Sequence, residues 1–182
     1  MNGTVAGVDE AGRGPLAGPV YAAAVIWPDG LDPAGINDSK LLTAKKRDAL
    51  YTYIIANAPY AIASVGVDEI DRINILEAAL LAMRRAVDAL PVKPDYLLVD
   101  GNVFRGFNIP GRCIIGGDGL ETAIAAASIL AKVARDRHMM ELDALYPGYG
   151  FAKHKGYGTK AHREAIRSLG PCPEHRRSFK LL

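Results

Sequence analysis

A chain of 182 residues, 49% hydrophobic and 23% charged, is long enough to bury one full core and has no apolar run near the ~20 residues a membrane span requires. Its two cysteines, Cys113 and Cys172, are far apart and form no CxxC pair, which argues against a disulfide framework or zinc site and for a reducing cytosol. The net charge of +2 is uneven: residues 1–150 carry 14 Lys/Arg against 18 Asp/Glu, whereas residues 151–182 carry 8 against 2, the pattern of either a polyanion-binding end or a solvated basic tail.

Thr4–Val8 reads as a strand that runs into two adjacent acids, Asp9 and Glu10, and breaks at Gly12-Arg13-Gly14-Pro15, because glycine and proline punctuate the backbone. Val20–Trp27 is a second strand, ended by Pro28 and Gly30, with loop from there to Ser39. Thr43 is placed to cap a helix to about Ala58, with Leu50, Ile54 and Ile55 as its apolar stripe and Lys45, Lys46 and Arg47 facing water. Beyond Pro59, Tyr60–Val67 is a third strand. Asn74 and Glu77 form a capping pair for a helix that buries Ile75, Ala79, Met83, Ala86 and Leu90 and stops at Pro91.

Tyr96–Asp100 repeats the opening pattern, an apolar strand that ends in an acid and then Gly101. A strand–helix–strand pass usually gives parallel neighbours, so Asp9 and Asp100 are expected at one sheet edge. Arg112–Gly116 is a fifth strand and leads to a third acid among glycines, Asp118. From Leu120 a long helix runs to about Ala144. Its Ala125-Ala126-Ala127-Ser128 stretch permits close packing on a sheet, and Lys132, Arg135 and Arg137 make its later turns basic. Tyr149–Gly158 mixes glycine, aromatics and bases, and a short helix capped by Thr159 closes at Gly170 before the basic, proline-broken end.

Asp9, Glu10, Asp100 and Asp118 therefore come from three strand ends. Acids gathered so closely repel one another, and burial raises their pKa values. Oxygen donors without His or Cys suit hard cations such as Mg²⁺ or Mn²⁺, and two such ions about 4 Å apart activate a water and stabilise the leaving oxygen of a phosphodiester. The same acids also read as turn formers and helix caps, and a non-catalytic nucleic-acid binder would need only the basic end. Neighbours on a strand point to opposite faces, so Asp9 and Glu10 converge if Glu10 already lies in the turn before Gly12. Gly12-Arg13-Gly14 lets the backbone approach a ligand closely. Tyr157 can stack on a sugar or base, with Lys153, Lys155 and His154 near phosphates.

Taken together, DEAGRGPLAGPV, NDSK at Asn37–Lys40, VDGN at Val99–Asn102, AAASILAKVARD at Ala125–Asp136 and HKGYGT at His154–Thr159 resemble the ribonuclease HII family, the bacterial type 2 ribonucleases H, across nearly the whole chain. The resemblance implies an α/β, ribonuclease H-like fold: a five-stranded mixed sheet flanked by helices, with a C-terminal helical extension over about 146–182 that binds substrate within one domain. It implies an endonuclease that cuts the RNA strand of RNA–DNA hybrids and incises at ribonucleotides embedded in duplex DNA, leaving 3′-hydroxyl and 5′-phosphate ends. By motif, Asp9, Glu10, Asp100 and Asp118 would hold two Mn²⁺ or Mg²⁺ ions. Gly12-Arg13-Gly14 would read the ribose 2′-hydroxyl, Tyr157 would stack at the RNA–DNA junction, and Lys40, Lys153 and Lys155 would hold phosphates. Gly117 departs from the pattern, since the family has lysine before the fourth acid. No basic segment followed by an apolar one opens the chain, so the expected location is the cytoplasm, and the expected state is a monomer.

Overall fold

The computed structural model describes residues 3–182 other than Ala34 and Asp38; Asp38, in the Asn37–Lys40 motif, thus lies outside the described residues. Among the described residues, five strands build one mixed sheet: β1 (Val5–Ala11), β2 (Val20–Ile26), β3 (Tyr60–Val65), β4 (Tyr96–Asp100) and β5 (Gly111–Ile114). Their order is β3-β2-β1-β4-β5. β1 is antiparallel to β2 and β2 to β3, whereas β1–β4 and β4–β5 are parallel. The helical passes before β4 bring it alongside β1 and place the two acid-ending strands at the centre of the sheet.

Among the described residues, six α-helices accompany the sheet: α1 (Ala44–Asn57), α2 (Val67–Ile73), α3 (Ile75–Asp88), α4 (Thr122–Leu145), α5 (Phe151–His154) and α6 (Lys160–Leu169). Thr43 and Thr159 cap α1 and α6 through their side chains. Asn74 separates α2 from α3 at φ 70° and accepts hydrogen bonds from the Leu76 and Glu77 amides at 3.0 and 3.1 Å. The expected third strand to Val67 ends two residues early because Gly66 caps α2, whose apolar stripe of Val67, Ile70 and Ile73 is only two turns long. Ser39–Leu41, expected as the end of a loop and the residues beyond it, forms a short 3-10 helix.

The alternation of β1 divides the core in two. Ala6 and Val8 point with Leu97 and Val99 toward α3, whose buried Ala79, Met83 and Ala86 fill that face. On the other face, Ala23 and Val25 meet α4 through Ala126, Ala127, Ile129 and Leu130, with α1 beside it. α4 lies unusually close to β1. A Cβ placed on Gly7 would stand 2.2 Å from the Ala123 carbonyl carbon and 2.3 Å from the Ile124 nitrogen. Glycine in the strand and alanine in the helix together make this approach possible, since interiors are packed with little spare volume. A third cluster, with Ala17, Met139, Leu142, Tyr149, Phe151 and Cys172, packs the C-terminal residues against the far part of α4. Among the described residues, no helix is long and apolar enough to cross a membrane.

Candidate active site

The parallel register carries Val8 opposite Val99, so one step further along each strand stand Asp9 and Asp100, at adjacent places on the α4 face. Asp9 is 5% exposed. Burial, and then the nearby Glu10 and Asp100 carboxylates, push its pKa well above the ordinary aspartate range. The Glu10 amide at 2.6 Å and the Ser128 hydroxyl pull the other way by donating hydrogen bonds to it. Asp100 Oδ1 accepts a 2.8 Å hydrogen bond from the Gly117 amide. A Cβ on Gly117 would come within 2.5 Å of Ile124 Cδ1, the far end of a side chain that can turn aside.

Glu10 does not lie in the turn. β1 continues through Ala11, with Glu10 paired to Ala22 and Ala11 to Tyr21. The ladder to β2 outlasts the apolar run, and Gly12 bends the chain only after both acids. Asp9 and Glu10 therefore leave opposite faces, as alternation requires, yet both reach one cleft because they stand at the sheet's edge. Glu10 is steadied there by Arg13, Nη1 to Oε1 3.4 Å.

That cleft, about 290 Å³, brings together Asp9, Glu10, Asp100, Gly12, Arg13, Gly14, Lys40 and Tyr157. Ala11, Ser39, Ser128, Lys132 and Arg135 complete its wall. Asp118 is buried in a one-turn 3-10 helix, Gly117–Gly119, with its Oδ2 3.6 Å from Lys40 Nζ. It stands behind Lys40, off the cleft wall. Lys153 is exposed away from the cleft, and Lys155 lines a second cavity of about 360 Å³ beside Arg47 and Arg137. Arg47, expected to face water, instead donates to the Ser39 and Leu42 carbonyls at 2.9 and 2.5 Å.

Among the described residues, no group of three or more His, Cys, Asp or Glu is already drawn together as a metal cage. The donor set nevertheless fits a hard divalent cation. It consists of carboxylate oxygens, and its central member is stripped of water and faces two like charges. Such a carboxylate is stabilised in its charged form by a cation.

The walls of the cleft are held by side chains that the sequence pattern had placed elsewhere. Arg135, one of the residues that make the later turns of the long helix basic, is buried; its Nε, Nη1 and Nη2 donate to the carbonyls of Pro19, Lys155 and Ala17 at 3.0, 3.0 and 3.1 Å. Gly12 adopts φ +98°, and a Cβ on it would collide with Arg135 Nε at 2.1 Å. Arg176, from the basic end, is buried too. Burial and the neighbouring Arg135 pull its pKa down to about 9, so it stays protonated at neutral pH. Tyr157 is 45% exposed, and its ring edge packs beside Gly14. Behind it, His162 and His175 are buried, with Nε2 atoms 3.0 Å apart. Burial pulls the His162 pKa down to about 4, so this pair is neutral at physiological pH. Nothing in the sequence marked Arg135, Arg176, His162 and His175 as buried, because their partners are backbone groups and each other.

A family model described as Ribonuclease HII matches residues 6–182. The chain belongs to the ribonuclease HII family. A ribonuclease HII of Delftia acidovorans is 60% identical over 179 residues, 97% of this chain and 76% of the relative. That of Shewanella amazonensis is 56% identical over 181 residues, 99% and 88%. Among solved structures, the ribonuclease H2 of Pyrococcus horikoshii superposes with a TM-score of 0.81 at 29% identity, covering 98% of this chain and 94% of that one. The RNase HII of Archaeoglobus fulgidus, solved as a complex with PCNA, gives 0.79 at 26% identity, covering 97% and 95%. Membership makes the chain a ribonuclease H, a metal-dependent endonuclease that acts on the RNA of RNA–DNA hybrids. The neighbours share the ribonuclease H-like fold, so the five-stranded mixed sheet expected from the resemblance is the observed one.

Proposed function

We propose that this ribonuclease HII cuts RNA–DNA hybrids and also incises duplex DNA at single embedded ribonucleotides, leaving 3′-hydroxyl and 5′-phosphate ends. The observation that carries this reading is one cleft holding three carboxylates, a glycine-bordered loop and an exposed aromatic ring: Asp9, Glu10 and Asp100 beside Gly12-Arg13-Gly14 and Tyr157. Asp9, Glu10 and Asp100, joined by Asp118 once it exchanges Lys40 for a cation, would hold two Mn²⁺ or Mg²⁺ ions. Bound there, the ions supply an activated water and charge stabilisation for the leaving oxygen.

The remaining work falls to the chain's own groups. Gly12-Arg13-Gly14 brings backbone against the sugar without an intervening Cβ at its two glycines, which suits recognition of the 2′-hydroxyl that distinguishes RNA from DNA. Arg13 is half exposed at the cleft, and Lys40 is more exposed still; both are placed for phosphate oxygens, where charge-assisted hydrogen bonds are strongest. The Tyr157 ring beside Gly14 would stack on the deoxyribose next to the ribonucleotide, setting the step at which the chain is cut. Lys153, exposed away from the cleft, and Lys155, on the second cavity, would contact the duplex backbone outside the reacting step.

Tyr157→Ala tests this arrangement. Stacking is worth ~1–3 kcal/mol, so incision at a single embedded ribonucleotide should slow by roughly ten- to a hundredfold. The melting temperature should barely move, because the ring is 45% exposed. An unchanged rate and cut position would remove Tyr157 from the site.

A further inference from the structure

The C-terminal segment returns across the molecule to the turn that follows β1. The Arg176 amide donates to the Leu16 carbonyl at 2.8 Å, and the Gly18 amide donates to the Glu174 carbonyl at 2.8 Å. Ala17 and His175 form an isolated antiparallel bridge. The Arg176 side chain then enters the turn itself. Its Nε donates to the Gly18 carbonyl at 2.9 Å, its Nη1 to Arg13 and Pro15 at 3.0 and 2.9 Å, and its Nη2 to Gly12 at 2.6 Å. A single buried guanidinium thus gathers four carbonyls of residues 12–18. A planar fork of N–H donors suits this task, and a lysine ammonium lacks that geometry.

His175, its neighbour, reaches the opposite wall of the cleft. The Cys172 amide donates to His175 Nδ1 at 2.9 Å, which leaves the ring proton on Nε2. That proton is donated to His162 Nε2 at 3.0 Å. His162 must then carry its own proton on Nδ1, which donates to the Tyr157 carbonyl at 2.9 Å. The two walls are also joined directly, by the Leu16 amide donating to the Gly156 carbonyl at 2.8 Å. Consecutive residues of the C-terminal segment therefore grip the glycine turn on one side and the Tyr157 turn on the other.

We propose that Arg176, with His175 beside it, is a positioning residue for ribose recognition, fixing the Gly12-Arg13-Gly14 backbone and the Tyr157 turn at one separation. Four carbonyls drawn onto one cation hold the turn in a single conformation before substrate arrives, and preorganisation of that kind lowers the ordering cost of binding. The dependence on ribose follows: a loosened turn still meets a duplex through Lys and Arg contacts, yet loses its selectivity for the 2′-hydroxyl. The inference rests on the reading of Gly12-Arg13-Gly14 as the sugar reader.

Binding separates the two. In an Asp9→Asn background, which prevents turnover, the ratio of Kd for an all-DNA duplex to Kd for the same duplex with one ribonucleotide measures ribose recognition. Arg176→Met should lower that ratio by about tenfold, the scale of a hydrogen bond lost, with Kd for the all-DNA duplex moving less than threefold. Arg176→Lys, which keeps the charge and loses the fork, should lower it by a smaller factor. An unchanged ratio in folded Arg176→Met overturns the brace. Should that variant fail to fold, an unchanged ratio in Arg176→Lys overturns it equally. If the parent itself shows a ratio of one, the sugar-reader assignment fails and the brace with it; if the parent discriminates and the Arg176 variants do so equally, the brace alone fails.

Discussion

Asp9→Asn is expected to lower cleavage by about three orders of magnitude or more and, at the same time, to raise the melting temperature in metal-free buffer. Both effects come from one carboxylate. A metal ligand at the reacting centre supports several kcal/mol of transition-state stabilisation, and each 1.4 kcal/mol is about tenfold in rate. Without a cation, however, Asp9 is a buried charge beside Glu10 and Asp100, and asparagine removes that charge while keeping the shape. Its pKa is raised by folding from a starting value of 3.8. Between that starting value and its folded-state pKa the folded protein therefore holds a proton that the unfolded chain has already lost, and stability falls as pH rises through the folded pKa. Each pKa unit of that rise is about 1.4 kcal/mol, and 1 kcal/mol moves Tm by roughly 2–4 °C in a chain of this size.

Melting curves of wild type and Asp9→Asn in chelator, taken from pH 4 to 8, give the check. The variant should gain on the wild type as pH rises, and the gap should close toward the acid end. Mn²⁺ should then raise the wild-type Tm more than that of the variant, since an ion that binds only the folded state stabilises it by mass action. A variant that is less stable than wild type at neutral pH would contradict the burial argument. Full cleavage would contradict the ligand assignment.

Gly7→Ala should destabilise the fold by about 3 kcal/mol or more, the upper end of what overpacking costs, and lower Tm by roughly 6–12 °C. The added methyl would meet backbone atoms of Ala123 and Ile124 at 2.2 to 2.6 Å, and backbone inside a packed helix has no rotamer through which to yield. α4 must move off β1. That helix carries Ser128, Lys132 and Arg135 to the cleft, so the cleavage rate should fall with stability. Gly119→Ala, with open space around it, is the control and should leave Tm within about 2 °C. A Tm for Gly7→Ala equal to the wild type would show that the sheet and α4 can separate freely, contrary to the packing described.

The legible part of the molecule was the part encoded by period and punctuation. Apolar strands that end in Asp9 and Asp100, with a capped helix before the second, led to parallel neighbours and to two acids at one edge, as the register has it. The placement of Glu10 was misread because glycine at position 12 drew attention to the turn. The extent of β1 was set instead by its partner, β2, which pairs as far as Ala11. α2 is two turns long, and its stripe of Val67, Ile70 and Ile73 is too short to set it apart from the end of a strand by period alone. Arg135 belongs by sequence to the basic later turns of the long helix and Arg176 to the basic end, and nothing in composition shows either to be buried, because their partners are main-chain carbonyls from residues 12–19 and 155. Backbone acceptors have no sequence signature. The family resemblance drew Tyr157 and Gly12-Arg13-Gly14 into one reading, and the fold places the ring edge beside Gly14.

The measurement closest to the central claim is incision of a DNA duplex containing one ribonucleotide, run beside an all-DNA duplex of the same sequence, with Mn²⁺ or Mg²⁺ and with chelator. A single cut at the ribonucleotide, with 3′-hydroxyl and 5′-phosphate ends, only in metal and only in the first duplex, is the predicted result. Equal cutting of both duplexes, or cutting that survives chelation, would contradict it.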